Sequence, residues 1–285
     1  MTAPTNVRTC YRHPDRVAGI SCQRCDRPIC PSCMHQASVG FHCPECARGG
    51  KQKVLTGPAA WATRPIVTQV LIAINVVAFI GQLATSADDW VFRHGFLWGP
   101  AVPDEPWRLV TGDFLHANGI PAGFIHIGMN MYGLWILGQL LERVLGRAPF
   151  LALYVAAMAG GTLGVLILDP ESATVGASGA VYGLLGAAFV VARERNIDLM
   201  RSGLVTTLGL GLVITFGVPG ISIGGHVGGF LAGGLAGLVL IEGRKRIPSN
   251  GVVVTTAVTV VMAIGLLLAG YLLMVGEYGD AVVRY

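Results

Sequence analysis

The sequence predicts an all-α polytopic membrane protein that is preceded by a small zinc-binding domain. Hydrophobic residues make up 53% of the 285 residues and charged residues only 13%, whereas about a quarter of the residues in a soluble domain are charged. The apolar residues also gather in runs of about 20, the length of helix that crosses the core of a bilayer. All seven cysteines, by contrast, lie in the polar stretch from Cys10 to Cys46. Composition therefore excludes a single soluble domain.

Seven apolar runs follow the polar stretch, and we predict a membrane-spanning helix over each of them. They cover Ile66–Ala84, Ile125–Leu141, Phe150–Leu168, Thr174–Ala192, Ser202–Val218, Ile223–Ile241 and Val252–Val275. The forty glycines suit this prediction, because small residues let helix backbones approach closely in lipid. We divide the chain into a zinc-binding domain at 1–50, a linker at 51–65, a six-helix core at 66–241, and a basic loop, seventh helix and tail at 242–285.

Positive charge is distributed unevenly over the predicted loops. If the N-terminus is cytoplasmic, only Arg93, Arg108 and Arg284 flank the spans on the outer side. The cytoplasmic side then carries Lys51, Lys53, Arg64, Arg143, Arg147, Arg193, Arg195, Arg201, Arg244, Lys245 and Arg246. Because Lys and Arg accumulate in cytoplasmic loops, we predict a plasma-membrane protein with a cytoplasmic N-terminus and an outer C-terminus. The cysteines then lie in a reducing compartment, which favours thiolate-bound metal over disulfides.

Four pairs of metal-ligand residues, each with a two-residue spacer, occupy the N-terminal domain. The pairs are Cys10 and His13, Cys22 and Cys25, Cys30 and Cys33, and Cys43 and Cys46. Zinc binds four N or S ligands in a tetrahedron, and one tight turn with this spacing supplies two of them. The sequence therefore predicts two closed zinc sites. The short gap between the second and third pairs favours interleaving, with pairs one and three on one ion and pairs two and four on the other.

This domain resembles the B-box type of zinc-binding domain over nearly its whole length. Zinc would stabilise its fold, because about 40 residues bury too little core on their own. A disulfide-bonded domain is the alternative, although seven cysteines cannot all pair. His35 or His42 could replace a neighbouring cysteine as a ligand. We expect no catalytic metal, and the domain either binds a cytoplasmic protein partner or only stabilises the N-terminus.

Polar residues occur at the starts of spans two, four and six, which all run from the outside to the inside in the predicted topology. His126 and Asn130 lie four residues apart, and so share one helix face. Ser178 and His226 stand near the starts of the other two spans. Polar groups at membrane depth usually face the bundle interior or a water-filled cavity. The alternatives are helix packing for Ser178 and interhelical hydrogen bonds for the other three.

This combination supplies the parts of a nucleophilic reaction. A serine hydroxyl becomes an effective nucleophile when a neighbouring imidazole takes its proton, which pairs Ser178 with His226. Backbone N–H groups at a helix start have no intrahelical acceptor, and together with His126 and Asn130 they could donate hydrogen bonds to an oxyanion. We identify no buried Asp or Glu that would complete a catalytic triad.

From Ile66 to the end of span six, the chain resembles the rhomboid intramembrane proteases. The matching residues are Gly176, Ser178 and Gly179 in the motif Gly-x-Ser-Gly, His126 and Asn130 in His-x3-Asn, and His226, Gly229 and Gly233 in His-x2-Gly-x3-Gly. The resemblance implies that Ser178 is the nucleophile and His226 the general base. It also implies that His126, Asn130 and the backbone N–H of Ser178 stabilise the oxyanion.

Further residues match the family, and a few depart from it. Tyr182 corresponds to an aromatic residue that packs against the catalytic imidazole, and Trp107 and Arg108 match a Trp-Arg pair in the long first outer loop. The glycine pairs Gly179-x3-Gly183 and Gly229-x3-Gly233 would let spans four and six approach closely. Gly225 stands where an alanine often precedes the histidine. The seventh span is an addition to the six-helix core, and the zinc-binding domain lies outside the family fold.

The resemblance implies a serine endopeptidase that cleaves transmembrane-helix substrates near the outer membrane face. Its partners would be transmembrane proteins and the lipid bilayer, with no cofactor for catalysis and no nucleic acid. A substrate helix would enter between spans two and five, with the loop at 218–220 acting as a cap. One alternative is a catalytically inactive relative that binds client helices as a membrane chaperone. A transporter is another, although we find none of the internal repeats typical of that class.

Overall fold

The chain divides into two units, Met1–Ala62 and Thr63–Tyr285. The structure is a computed structural model that describes residues 8–37, 39–49, 64–86, 89–247 and 249–280. The division falls within the predicted linker at 51–65, of which the structure describes only Arg64 and Pro65. The two units are taken separately below.

Two short antiparallel strand pairs and one short helix form the described part of the N-terminal unit. The elements are β1 (Ile20–Ser21), which pairs with β2 (Pro28–Ile29), β3 (His35–Gln36), which pairs with β4 (Phe41–His42), and helix α1 (Pro44–Gly49). Among the described residues of this unit, the buried ones are Ile29, Pro44 and five cysteines. Its core thus contains little besides sulfur, so hydrophobic burial contributes little to its stability.

The second unit is helical. In chain order its helices are α2 (Ile66–Ala84), α3 (Trp90–Gly95), α4 (Arg108–Thr111), α5 (Ala122–Leu145), α6 (Arg147–Leu168), α7 (Ser178–Glu194), α8 (Leu204–Gly217), α9 (Ile223–Arg246) and α10 (Gly251–Tyr278). Helix α2 and helices α5 to α10 lie at the seven predicted spans. Helix α9 continues past residue 241, where the predicted core ends, so that boundary falls inside a helix.

Five of these helices, α2, α5, α6, α9 and α10, are long and apolar enough to cross a membrane. These helices support an integral membrane protein of the all-α polytopic class. Helices α7 and α8 have only 17 and 14 residues. That they and α10 act as further spans around a six-helix core stays a prediction.

Helix α7 begins at Ser178, four residues later than the predicted start of span four at Thr174. The reason is a tertiary contact, because Thr174 forms an isolated antiparallel bridge with Leu97, with N–O distances of 2.9 and 3.0 Å. Gly176 then turns the chain with a φ of +123°, a conformation that residues with a Cβ rarely adopt. The turn places Ser178 at the first position of the helix.

Helix α9 packs between α6 and α7 through glycines. A Cβ added to Gly229 would fall well inside van der Waals distance of the Gly179 carbonyl oxygen, and one added to Gly233 would meet the Gly183 carbonyl oxygen in the same way. The backbones of α7 and α9 are therefore in direct contact, as the small-residue pattern predicts.

The loop between α2 and α5 is organised around Arg108. Its buried guanidinium donates hydrogen bonds to the carbonyl oxygens of Phe96 and Arg93, both at 2.7 Å, and pairs with Glu105. Trp107 is half exposed and donates its indole N–H to the His94 carbonyl at 2.9 Å. Trp107 and Arg108 thus connect two parts of the same loop through hydrogen bonds to residues 93–96.

The same loop holds the chain that precedes α7. The backbone N–H of Gly176 donates to the Gly112 carbonyl at 2.9 Å. A Cβ added to Gly112 would lie 2.8 Å from the backbone nitrogen of Leu97, so the segments approach closely. These contacts fix the position of the residues just before Ser178.

Helix α10 packs along α6. Its residue Met274 is fully buried in a cluster with Leu97, Val165 and Leu166. Helix α10 therefore shares a buried cluster with α6 and with Leu97, the loop residue that pairs with Thr174.

Candidate active site and metal sites

Ser178 opens helix α7 and is partly exposed. The first hydrogen bond of the helix joins the Val181 N–H to the Ala177 carbonyl. The N–H groups of Ser178 and Gly179 therefore have no acceptor inside the helix and point out of its N-terminus. The helix dipole also favours a negative charge at this end, so the position of Ser178 suits the binding of an oxyanion.

The start of α7 touches the start of α9. A Cβ added to Gly179 would lie 3.2 Å from the carbonyl oxygen of Gly225, so the backbones meet at these two residues. Ser178 and His226 are the immediate chain neighbours of this contact. The absence of a side chain at Gly179 thus lets two distant parts of the sequence meet at the site.

His226 is buried, and Tyr182 lies flat against its ring. The two ring centroids are 4.0 Å apart with an interplanar angle of 13°, and 7% of His226 is exposed. Tyr182 follows Ser178 by four residues and so shares its helix face. The imidazole therefore covers the face of α7 that carries the serine.

In the described part of the chain, Ser178 Oγ and His226 do not form a hydrogen bond. Catalytic hydrogen bonds are often long in the absence of substrate and shorten when it binds. The shared helix face and the glycine contact are the geometric basis for pairing these two residues.

His126 and Asn130 on α5 face the turn before Ser178. The Ala117 N–H donates to His126 Nδ1 at 3.1 Å, so the proton of a neutral imidazole lies on Nε2. That nitrogen lies 2.8 Å from the position of a Cβ on Gly176, and Asn130 Nδ2 lies 3.8 Å from it. Asn130 Nδ2 also donates to the His126 carbonyl at 3.0 Å, which leaves its second hydrogen available. Both side chains thus present donors near Ser178.

Thr215 on α8 is a site contact that the sequence analysis did not identify. Its hydroxyl lies 2.7 Å from His226 Nδ1 and 3.0 Å from the hydroxyl of Tyr182. Threonine is common in apolar helices, and Thr215 stands in no motif, so the sequence contains no signal for this contact.

Three further buried polar residues were also missed. His116 is fully buried, with its ring centroid 5.1 Å from that of His126. Two carboxyl groups that the sequence did not single out are buried as well, and their hydrogen-bond partners lie elsewhere. Asp113 contacts the Thr162 hydroxyl at 3.0 Å, and Glu142 accepts hydrogen bonds from the first backbone N–H groups of α2. Such partners depend on the fold and cannot be read from spacing.

The ligand residues of the N-terminal unit form two groups. They are Cys10, His13, Cys30 and Cys33 in one group, and Cys22, Cys25, Cys43 and Cys46 in the other, with the ligand atoms of each group within 4.8 Å of one another. The structure thus brings together pairs one and three and pairs two and four. His35 and His42 belong to neither group and face each other across β3 and β4.

The donor set fits zinc. A tetrahedral ion with Zn–S bonds of about 2.3 Å places its sulfur ligands about 3.8 Å apart, and the Sγ atoms of Cys25 and Cys43 are 3.8 Å apart. The Cys43 N–H also donates to Cys22 Sγ at 3.1 Å, a contact that suits a thiolate. Each group supplies four ligands, which fills a tetrahedral site.

One known protein family matches part of the second unit. A family model described as "Rhomboid domain" matches residues 103–243, which include Ser178, His226, His126 and Asn130. The Cys and His residues of the two N-terminal groups lie outside that match.

Several proteins are similar to this chain over much of its length. Rhomboid protease GluP of Bacillus subtilis is 29% identical over 215 residues, which are 73% of this chain but only 41% of GluP. Putative rhomboid protease YdcA of Bacillus subtilis is 30% identical over 60% of this chain and 91% of its own length. Rhomboid protease GlpG of Haemophilus influenzae is 27% identical over 63% of this chain and 93% of its own length. The chain therefore belongs to the rhomboid family.

Proposed function

We propose that this protein is an intramembrane serine endopeptidase in which Ser178 is the nucleophile and His226 the general base. The observation that carries the proposal is the direct contact between the starts of α7 and α9 at Gly179 and Gly225, the neighbours of the two residues. The stack of Tyr182 on His226 supports it. The relatives GluP, YdcA and GlpG carry the name rhomboid protease, YdcA as putative.

The reaction follows from the two side chains. Ser178 Oγ attacks the carbonyl carbon of the substrate peptide bond while its proton passes to His226 Nε2. The tetrahedral intermediate collapses when the C–N bond breaks and the imidazolium returns the proton to the leaving nitrogen. Water then attacks the acyl-enzyme ester, again with His226 as the base, and releases Ser178.

The negative charge of the tetrahedral intermediate lies on the former carbonyl oxygen. The backbone N–H of Ser178, His126 Nε2–H and the second hydrogen of Asn130 Nδ2 would donate to it. Removal of one such donor typically costs about 2.7–4 kcal/mol of transition-state stabilisation. Three donors explain why no metal or cofactor is needed in this proposal.

We propose transmembrane helices as the substrates, cleaved near the outer membrane face. In the proposed topology the N-terminus is cytoplasmic and the C-terminus lies outside the plasma membrane. The support is the distribution of Lys and Arg over the loops and the position of Ser178, His226 and His126 at the starts of parallel spans. Substrate entry between α5 and α8 belongs to the same proposal.

The N-terminal unit, in this proposal, binds two structural zinc ions. The composition of its two ligand groups supports zinc, and its small apolar core explains why it would need the metal. Its function would be to bind a cytoplasmic protein partner. We also propose that this unit has a B-box-like fold, on the basis of the spacing of its ligand pairs.

Labelling with a fluorophosphonate probe tests the catalytic assignment. We expect the purified protein in detergent to be labelled, and Ser178→Ala and His226→Ala to lose labelling by at least about a thousandfold, since either residue alone disables such a pair. Ser172→Ala is the matched control, because Ser172 is an exposed loop serine and should leave labelling unchanged. A folded wild type that is not labelled would instead favour an inactive relative that binds helices without cutting them.

A further inference from the structure

Helix α8 buries a single one of its fourteen residues, all of which are described, and that residue is Thr215. The other polar residues of this helix face outward, and Thr215 alone is almost fully enclosed, at 2% exposed. Its hydroxyl reaches the imidazole of His226. The contact between this helix and the base therefore passes through one hydroxyl group.

The hydrogen bonds around this hydroxyl determine which nitrogen of His226 carries the proton. Thr215 Oγ1 lies 2.7 Å from the Gly211 carbonyl oxygen, 2.7 Å from His226 Nδ1 and 3.0 Å from the Tyr182 hydroxyl. A hydroxyl has one hydrogen and two lone pairs, and a carbonyl oxygen can only accept. All three contacts contain a hydrogen only if Thr215 donates to Gly211 and accepts from both His226 Nδ1–H and Tyr182 O–H.

The other tautomer leaves one contact without a hydrogen. If Nδ1 carried a lone pair, Thr215 would have to donate to it, and the two oxygens of Thr215 and Gly211 would then face each other at 2.7 Å with no hydrogen between them. Oxygen atoms at that distance repel each other unless a hydrogen lies between them. The arrangement thus selects the proton on Nδ1.

We propose that Thr215 is a positioning residue that keeps the proton of His226 on Nδ1 and leaves Nε2 free to act as the base. This inference rests on the proposed function. When Nε2 takes the proton of Ser178, the Nδ1–H bond to Thr215 becomes a bond from a cation and strengthens. Thr215 thus occupies the place that a carboxylate holds in a Ser-His-Asp triad.

Other groups around the imidazole are consistent with this role. Tyr182 packs on the ring face and donates its hydroxyl hydrogen to the same oxygen, so it orders the hydroxyl without competing for Nδ1. The Tyr182 hydroxyl also lies against α8 at Gly211, because a Cβ added to Gly211 would be only 2.5 Å from the hydroxyl oxygen. Among the described residues, the buried carboxyl groups of Asp113 and Glu142 have partners elsewhere.

The test compares Thr215→Val with Thr207→Val. Thr207 on the same helix makes the same type of bond, from its hydroxyl to the Gly203 carbonyl at 2.9 Å, but it is exposed and lies away from the site. We expect Thr215→Val to lower kcat for a cleaved transmembrane substrate by about tenfold to a hundredfold, the loss typical of a hydrogen bond to a charged group. KM should change little, Thr215→Ser should restore most of kcat, and Thr207→Val should match the wild type.

A spectroscopic measurement separates this role from a purely structural one. ¹⁵N NMR of histidine-labelled protein in detergent, with His226 assigned by comparison with His226→Ala, distinguishes a proton on Nδ1 from one on Nε2. We expect Nδ1–H in the wild type and in Thr207→Val, and a mixture of tautomers in Thr215→Val.

The two proposals fail in different ways. A folded wild type without labelling or cleavage overturns the proposed function. An active wild type in which Thr215→Val keeps its kcat, or in which His226 carries its proton on Nε2, overturns the role of Thr215.

Discussion

Each of the two units of the chain is stabilised internally in a different way. The N-terminal unit buries five cysteines and Ile29, and eight of its Cys and His residues lie in two groups that could hold metal ions. The second unit buries a large apolar cluster, and its central helices meet backbone to backbone at glycines. The stability of the first unit thus depends on groups that could bind metal. The close packing of the central helices in the second unit depends on glycines, which have no side chain.

This difference teaches where each unit is vulnerable. A metal site fails when one ligand is removed, because the remaining ligands no longer complete the tetrahedron. A glycine contact fails when a single carbon is added, since the facing backbone cannot move aside. Removing a ligand side chain from the first unit and adding a methyl group to a glycine of the second therefore test the two kinds of stabilisation separately.

The largest expected effect is loss of the N-terminal fold when a zinc ligand is removed. Structural zinc binds with about 10–16 kcal/mol, so Cys33→Ser should lower the zinc content from two ions to about one per chain, as measured by elemental analysis. His35→Ala is the control and should keep both ions, because His35 lies outside both groups. Labelling of Ser178 should persist in both variants; its loss together with the zinc would show that the units depend on each other.

A smaller effect is expected when a methyl group is added to the contact between α7 and α9. Gly229→Ala should lower the free energy of unfolding by about 1–3 kcal/mol and slow the labelling of Ser178, because the Cβ would press on the Gly179 carbonyl. Gly265→Ala on α10 is the control, since nothing lies within 4 Å of its Cβ position. There alanine should be neutral or stabilise the helix by about 0.5–1 kcal/mol. Equal melting temperatures for the two variants would contradict the backbone contact.

The smallest effect, at most about 1.4 kcal/mol for each pH unit, is the dependence of stability on pH, for which the two units should respond with opposite signs. Burial raises the pKa of Asp113, in the loop between α2 and α5, from 3.8 to about 8, against the lowering effect of its bond with Thr162. The folded state then keeps a proton that the unfolded state releases, so this contribution to stability is full below the unfolded pKa and is lost as pH rises through the folded pKa. Zinc binding behaves in the opposite way, because its thiolates must lose protons and acid releases the metal.

Thermal unfolding measured between pH 5 and 8 tests the predicted effect of Asp113 on stability. The free energy of unfolding of the second unit should fall as pH rises, by up to about 1.4 kcal/mol per pH unit from this one group. Asp113→Asn should flatten that slope, whereas Asp104→Asn, at an exposed position, should not. An unchanged slope in Asp113→Asn would mean that the carboxyl is already ionised in the folded state.

Much of the architecture could be predicted without the structure. The composition and the apolar runs predicted an all-α membrane protein, and the motifs around Ser178 and His226 predicted the rhomboid family; both are confirmed. The short gap between Cys25 and Cys30 predicted the interleaved grouping of Cys and His residues that the structure contains. These signals are local, since a bilayer requires about 20 apolar residues in one run and a zinc site takes two ligands from one turn.

Other features were wrong or invisible in the sequence. Span four was predicted to begin at Thr174, but the bridge to Leu97 pulls that residue out of the helix. The buried carboxyl groups of Asp113 and Glu142 were not foreseen, because burial depends on which elements cover a residue. The roles of the catalytic residues, the zinc ions and the topology stay predictions.

The sequence by itself determined the all-α membrane class, the rhomboid family and the approximate helix positions, because each depends on composition or on spacing within one segment. Only the tertiary structure decided where α7 starts, which backbones touch and which groups surround His226. Those features depend on contacts between residues that are distant in the chain, such as Thr215 with His226 and Ala117 with His126. A hydrogen bond depends on distance and direction, and these exist only once the helices have packed.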